Sequence, residues 1–260
     1  MKYLPYRLIR YLEHQWRGKA AFRIHSPHVF AFQQQVWKGG RSEVGGKIES
    51  FRKKLTQNSQ RLERLDLGAG SMERGTSYPT TIAQLAKMAS RRRREGELLR
   101  RICAHYQPKR CLELGTHLGI SALYQLSGLN QAEFISLEGD PTLAQLANQH
   151  LAEFGYEAEV QVGDFADLLS QLNLAEWRPD YVLIDGNHRY EPTLAYFQTL
   201  LPHLADGGML IFDDIHWSPE MSRAWAEICA HPEVSVSLDG YFLGICFVRR
   251  PQAKEHFVLW

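Results

Sequence analysis

The sequence predicts an α/β chain: a mostly parallel sheet with helices on both faces over residues 95–260, closed by an antiparallel last strand and preceded by a basic, mainly helical extension over residues 1–94. Three observations carry this expectation. From Arg110 onward, short apolar runs alternate with helical segments of similar length, the pattern of a parallel sheet covered on both sides. Near the end that alternation gives way to two strand-like runs joined at Asp239-Gly240, a turn dipeptide that favours an antiparallel hairpin. Residues 1–110 hold 24 Lys/Arg against 8 Asp/Glu, whereas the remainder holds 6 against 21, so the two parts of the chain differ in kind as well as in pattern.

The elements follow in order. "YRLIRYLEHQW" and "ESFRKKLTQNSQRLERL" read as basic helices, and "TTIAQLAKMASRRRREGELLRRICAHY" as two helices interrupted near the arginines. "RCLELG" is a short buried strand, and "ISALYQLSG" a helix stopped at Gly128. "AEFISLE" is a second strand; the helix after it opens at Pro141 and stops at Gly155, the usual placing of these two residues. "EAEVQVG", "DYVLID" and "GGMLIFDD" are further strands, separated by the helices "FADLLSQLN" and "EPTLAYFQTLLPHL". Ser218 and Pro219 open a last helix as N-cap and first residue, before the closing pair "EVSVSL" and "YFLGICFVRR".

Composition sets limits. At 260 residues, 44% of them hydrophobic, the chain can bury a large core. No apolar run reaches the roughly 18 residues needed to span a bilayer, and the first residues lack a signal-peptide pattern. Four scattered cysteines without a C-x-x-C pair suit reduced thiols and a cytoplasmic location. The charge asymmetry suggests two surfaces that meet or a basic face for an anionic partner.

Two stretches compete as a nucleotide-type cofactor loop: "LDLGAGS" (65–71) and "CLELGTHLGIS" (111–121). Such a loop needs a buried strand before it, a helix N-terminus after it, and an acid closing the next strand about 20 residues on, to take ribose hydroxyls. The second stretch meets all three conditions, with Glu138 as the acid. The first is preceded by "NSQRLERL", charged and helical in period, and followed by the polar loop "MERGTSYPT". It is expected to be a loop whose glycines permit tight turns, either a plain surface turn or one that lies over the cofactor.

The ordered series "ELGTHLGIS … LEGD … VGDF … VLIDGNH … GGMLIFDDIHW" resembles the class I S-adenosylmethionine (SAM) methyltransferases, whose sheet is Rossmann-like. Within them it is similar to the metal-dependent small-molecule O-methyltransferases of the catechol and caffeoyl-CoA type and their sugar- and macrolide-modifying relatives. The resemblance covers roughly residues 95–250. It implies that Gly115 and Gly119, with Thr116, let the backbone approach the methionine part of SAM. Glu113 would meet its cationic side, and Ser121 its carboxylate. Glu138, with Gly139, would accept from two ribose hydroxyls, and Asp164 and Phe165 would hold the adenine. The Gly-x-x-x-Gly spacing departs from the dinucleotide G-x-G-x-x-G and so argues against NAD.

The same resemblance brings Asp185, Asp213 and Asp214 together at the ends of the fourth and fifth strands. There they would hold Mg²⁺, with Ca²⁺ or Mn²⁺ as substitutes, as oxygen ligands do, and Asp185 would also touch SAM. His188 stands where catechol-type enzymes carry a lysine base. With an unperturbed pKa near 6.5, histidine can take a proton close to neutrality; His216 is the second candidate. The expected reaction is methyl transfer to a small-molecule hydroxyl. The change from lysine to histidine argues against a catechol-like substrate.

Two other classes compete with this reading. A nucleic-acid methyltransferase would use Arg91–Arg94 and the basic front half, but the fourth strand ends in "IDGN" rather than an Asn/Asp-Pro-Pro-aromatic run. A non-catalytic module would dock through "KYLPYRLIRYLEHQW", basic and aromatic enough for an anionic membrane surface; packing against a second copy, a homodimer contact, explains those residues as well. The extension over 1–94 is expected to act as substrate lid or dimer contact.

Overall fold

The structure is a computed structural model describing residues 3–18, 24–65, 77–88, 92–249 and 253–259. The chain forms two compact units, one of residues 34–171 and one combining 1–33 with 172–260. The first 33 residues group with the C-terminal part.

In the unit of residues 34–171, α3 (Glu43–Leu55) starts where the Ser42 side chain accepts from Gly45 N. The expected continuation of this helix through "NSQRLERL" does not occur. Asn58 Oδ1 accepts from Gln60 N at 2.9 Å, and the chain turns into strand β1 (Arg61–Leu65). This strand pairs antiparallel with β2 (Ser77–Thr81), Arg64 opposite Tyr78. The stretch is charged enough to pass for a helix, yet its Arg61-Leu62-Glu63-Arg64 alternates exposed and half-buried residues, a period of two that the cross-strand partner makes decisive. Likewise, residues 77–80 of the expected polar loop are strand. "LDLGAGS" beyond Leu65 lies outside the described residues.

Helices α4 (Ile82–Met88) and α5 (Arg93–Tyr106) follow; the arginine-rich break between them lies partly outside the described residues. Then come β3 (Arg110–Leu114), α6 (Ile120–Leu126), β4 (Glu133–Glu138), α7 (Pro141–Glu153), β5 (Glu159–Val162) and α8 (Phe165–Gln171). Strands β3, β4 and β5 are parallel, in that order. The register sets Glu113 opposite Ser136 and Glu138 opposite Val162.

In the other unit, helix α1 (Leu4–Arg17) and the short α2 (Pro27–Phe32) accompany α9 (Leu174–Trp177), β6 (Tyr181–Ile184), α10 (Tyr190–Leu200), β7 (Met209–Asp213), α11 (Pro219–Ala230), β8 (Val234–Asp239), β9 (Leu243–Val248) and β10 (Glu255–Val258). The order is β10-β8-β9-β7-β6. β6 and β7 are parallel, and β9 runs antiparallel to both β7 and β8. All four residues of β6 and the first four of β7 are buried, as a strand covered on both faces requires. The hairpin forms as expected, but Gly240, Tyr241 and Phe242 all lie in its turn, with Tyr241 at φ 69°. In this unit one strand was not anticipated: β10 runs parallel to β8 and buries Phe257 and Val258. The chain is mixed α/β, with a mostly parallel sheet and an antiparallel strand.

Candidate active site

The loop between β3 and α6 takes its shape from three left-handed residues, Gly115 (φ 103°), His117 (φ 50°) and Gly119 (φ 76°). Side chains favour glycine at such angles, which explains two of the three. The third, His117, is fixed by a contact: its N–H donates to Glu138 Oε2 at 2.7 Å. Gly115 N donates to Leu137 O at 2.9 Å, and buried Thr116 reaches Ser136 Oγ at 2.6 Å. The His150 ring holds the Leu118 carbonyl at 2.9 Å. The loop is therefore bound at four points to β4 and α7 before any ligand arrives.

Glu138, at the end of β4, is 8% exposed. Its second oxygen accepts from Asp140 N at 3.0 Å. Burial pushes this carboxyl above its ordinary range, against the pull of the two backbone hydrogen bonds and the Arg64 guanidinium. A carboxylate offers about four lone-pair directions, so two remain for hydroxyl donors. Asp140 caps α7 through Thr142 N at 2.8 Å and takes Leu65 N at 2.7 Å with its other oxygen. The β1–β2 hairpin is thus tied to the acid-bearing loop. Arg64 donates to Tyr78 OH at 3.1 Å.

Other expected cofactor residues are placed as follows. Glu113 is fully buried; Gln125 Nε2 donates to one oxygen at 2.6 Å and Ser136 Oγ to the other at 2.7 Å. It braces β3 against α6 and β4 rather than opening to a ligand. Ser121 is buried just inside α6, whose N-cap is Gly119. Gly139 separates Glu138 from Asp140. Asp164 accepts from Ala166 N at 2.9 Å at the start of α8, and it and Phe165 are half-buried. Sequence reasoning did not find His117, Asp140, His150 or Arg64. Backbone donation at His117 has no residue-type signature, and Arg64 needs the hairpin to bring it near.

The second set of candidates belongs to the other unit. Asp185 and His188 follow β6, with His188 Nε2 3.8 Å from Asp185 Oδ1 and both side chains partly open to solvent. Asp213 and Asp214 end β7, where Asp214 (φ 52°) donates its N–H to Phe242 O at 2.7 Å. Among the described residues no group of three or more His, Cys, Asp or Glu side chains is arranged to hold a metal ion. Asp185, Asp213 and Asp214 are not part of such a group. His216 is also differently placed from what a proton acceptor needs. The ring is buried, one nitrogen lies 2.8 Å from Ser222 Oγ and the other 2.9 Å from Asp239 Oδ2, so both are committed. His188 keeps an open ring.

Comparison with known proteins agrees with this fold. A family model described as "Methyltransferase domain" matches residues 112–215, which include the β3–α6 loop, Glu138 and all three aspartates. A catechol O-methyltransferase from Niastella koreensis is 30% identical over 125 residues, covering 46% of this chain and 56% of the relative's own length. Among solved structures, the O-methyltransferase TomG from Streptomyces achromogenes, in complex with SAM, aligns with a TM-score of 0.54 at 19% identity, over 89% of this chain and 100% of that one. An O-methyltransferase from Bacillus cereus in complex with SAH aligns with a TM-score of 0.53 at 18% identity, over 84% and 97%. The chain has the fold of the class I methyltransferases, and its residues 112–215 match the methyltransferase-domain family.

Proposed function

We propose that the chain is a SAM-dependent methyltransferase acting on a hydroxyl of a small molecule. One observation carries this reading: the buried Glu138 carboxylate, oriented by the His117 and Asp140 amides beside a preformed glycine loop, within the stretch matched to a methyltransferase domain. These residues fit the cofactor. Glu138 has free lone pairs for the ribose diol, and the loop from Gly115 to Gly119, with Thr116, offers backbone to the methionine part; at Gly119 the absent Cβ also lets the loop sit against Ala147 of α7. Gly139 adjoins Glu138 at the ribose end, and Asp164 and Phe165 offer the adenine an acceptor and a ring face. Glu113 acts through the strands and helix it braces, and Ser121 lies in the first turn of the helix that follows the loop. When bound, SAM supplies an electrophilic methyl group. The acceptor oxygen must lie in line with the sulfonium and must lose its proton as the O–CH₃ bond forms and the S–CH₃ bond breaks.

The resemblance, rather than a distance, assigns that proton to His188, with Asp185 stabilising the charged ring. No step is routed through a divalent ion, because the three aspartates are not gathered as ligands. Relatives named for small-molecule O-methylation favour a hydroxyl acceptor over a nucleic acid.

Calorimetry of the purified protein is the direct test: SAM and its demethylated product should both bind, and NAD should not. A protein that ignores both sulfur nucleosides refutes the proposal. In a turnover assay, added EDTA is expected to change the rate less than about twofold. Complete loss, restored by Mg²⁺, would return a metal to the mechanism.

A further inference from the structure

In the unit that combines residues 1–33 with 172–260, two cysteines meet across a helix–sheet contact. On the sheet, the strand registers set Cys246 of β9 opposite Ser237 of β8, and Ser237 opposite His256 of β10. Directly paired residues point to the same side of a sheet, so these three side chains form one row. Ser237 Oγ lies 2.8 Å from His256 Nδ1. Helix α11 covers the row. A Cβ at Gly244 would stand 2.6 Å from the Trp225 ring, so α11 rests directly on β9 at that point. Only residues 231–233 join α11 to β8; the two run antiparallel, and α11 therefore advances in the direction of β9. Trp225 and Cys229 are four residues apart, on one face of the helix and about 6 Å along its axis. Gly244 and Cys246 are two residues apart, on one face of the strand and about 6.8 Å along it. The two steps match, and Cys229 comes down on Cys246 as Trp225 comes down on Gly244.

The two thiols are unlike. The hydrogen bond from Cys246 lowers the pKa of Cys229, against the upward push of burial, and bonds from His256 and Ser237 lower it further. Burial, and after it the neighbouring Cys229, raises that of Cys246. One sulfur is thus prepared to be a thiolate and the other to stay a thiol. Cys229 is half-buried and His256 exposed, whereas Cys246 is fully buried, so a small oxidant in solvent meets Cys229 first. Among the described residues these side chains are not part of any group able to hold a metal ion. We propose that Cys229 and Cys246 are a peroxide-sensitive dithiol, with Cys229 the attacking sulfur and Cys246 the resolving one. The Cys229 thiolate attacks one peroxide oxygen, the O–O bond breaks, and a sulfenic acid forms; the hydroxide that leaves takes up the proton Cys229 had released. The Cys246 sulfur then displaces the hydroxyl from Cys229, its proton leaving with that hydroxyl as water, and an S–S bond forms. Both thiols are oxidised and the peroxide is reduced to water. The inference goes beyond the proposed methyl transfer and does not depend on it.

The test is intact-mass and peptide analysis of the full-length, prereduced protein after brief exposure to excess hydrogen peroxide. The expected product has lost two hydrogens, yields a crosslinked Cys229–Cys246 peptide, and regains both thiols with dithiothreitol. Cys103 and Cys111, fully buried in the other unit, should stay reduced. Cys246→Ala should accumulate a sulfenic acid on Cys229, trapped by dimedone. Should that core substitution fail to fold, Cys229→Ser, at a half-buried position, carries the test: its Cys246 should be oxidised at least about tenfold more slowly than Cys229 of the parent. A pair that stays reduced, oxidation of Cys103 or Cys111 at an equal rate, a crosslink between two molecules, or sulfenic acid formed first on Cys246 overturns the inference.

Discussion

At the scale of single residues, the decisive arrangement is a carboxylate whose orientation is set by backbone rather than by another side chain. Both amides that hold Glu138 are donors, so Glu138→Gln would turn an NH₂ toward one of them. Charge-assisted hydrogen bonds contribute about 1.5–3 kcal/mol, and calorimetry should accordingly show SAM affinity falling about 10- to 100-fold. For His188→Gln the expectation is different: kcat falls about 10²- to 10⁴-fold, the range of general-base loss, while SAM affinity holds. Equal kcat in the variant would remove His188 from the proton path. Glu138 was legible in the sequence because an acid closing a second strand has a fixed offset from a glycine loop. The state of His216 was not legible: its partners Ser222 and Asp239 are brought to it by α11 and β8, and no local spacing announces them.

At the scale of elements, α5 and α6 meet where Gly96 faces the Tyr124 ring, and a Cβ at 96 would stand 2.4 Å from ring carbons. Tyr124 is fully buried, and its hydroxyl donates to Glu49 of α3 at 3.0 Å, so the ring has little freedom to retreat. Gly96→Ala gains helix propensity of up to about 1 kcal/mol but forces overpacking, which costs about 1–3 kcal/mol. Urea unfolding should show a net loss of stability, and a more stable variant would mean that the ring yields. This close approach cannot be read from the sequence, where a glycine in the first turn of a helix beside arginines resembles a simple breaker. The parallel strands, by contrast, were legible as near-continuous apolar runs. β1 was not, because five residues with three charges acquire strand character only through their pairing with β2.

For the whole molecule, the buried histidines of both units make stability fall on acidification, opposed by Glu138, whose raised carboxyl binds its proton more readily in the folded chain. Burial lowers the pKa of His14, against the raising influence of Asp239, and likewise that of His150, against its bond to the Leu118 carbonyl. Both rings stay neutral in the folded chain while the unfolded chain begins to take up protons near 6.5, so their contribution is complete above that pH and declines below it. Burial pushes Asp239 upward, but the hydrogen bond from His216 prevails and holds its pKa at about 2, below its ordinary 3.8. The stability it contributes is present above 3.8 and is lost as pH falls toward 2. Melting temperature should therefore drop from pH 7 to pH 5, and His150→Gln should flatten that slope. A melting temperature that rises over this interval would contradict the sign.

The sequence by itself determined the alternation of strands and helices, the position of the glycine loop and the acid that answers it, because each rests on period or offset along the chain. Tertiary structure decided which polar side chains are committed. Glu113 and His216 are enclosed by partners from other elements, His188 remains open, the three aspartates do not gather as ligands, and α1 turns its apolar face outward. Hydrophobic period says that a helix has two faces; which of them is buried depends on what the rest of the fold offers it, and here β8 and the hairpin turn offer hydrogen-bonding groups.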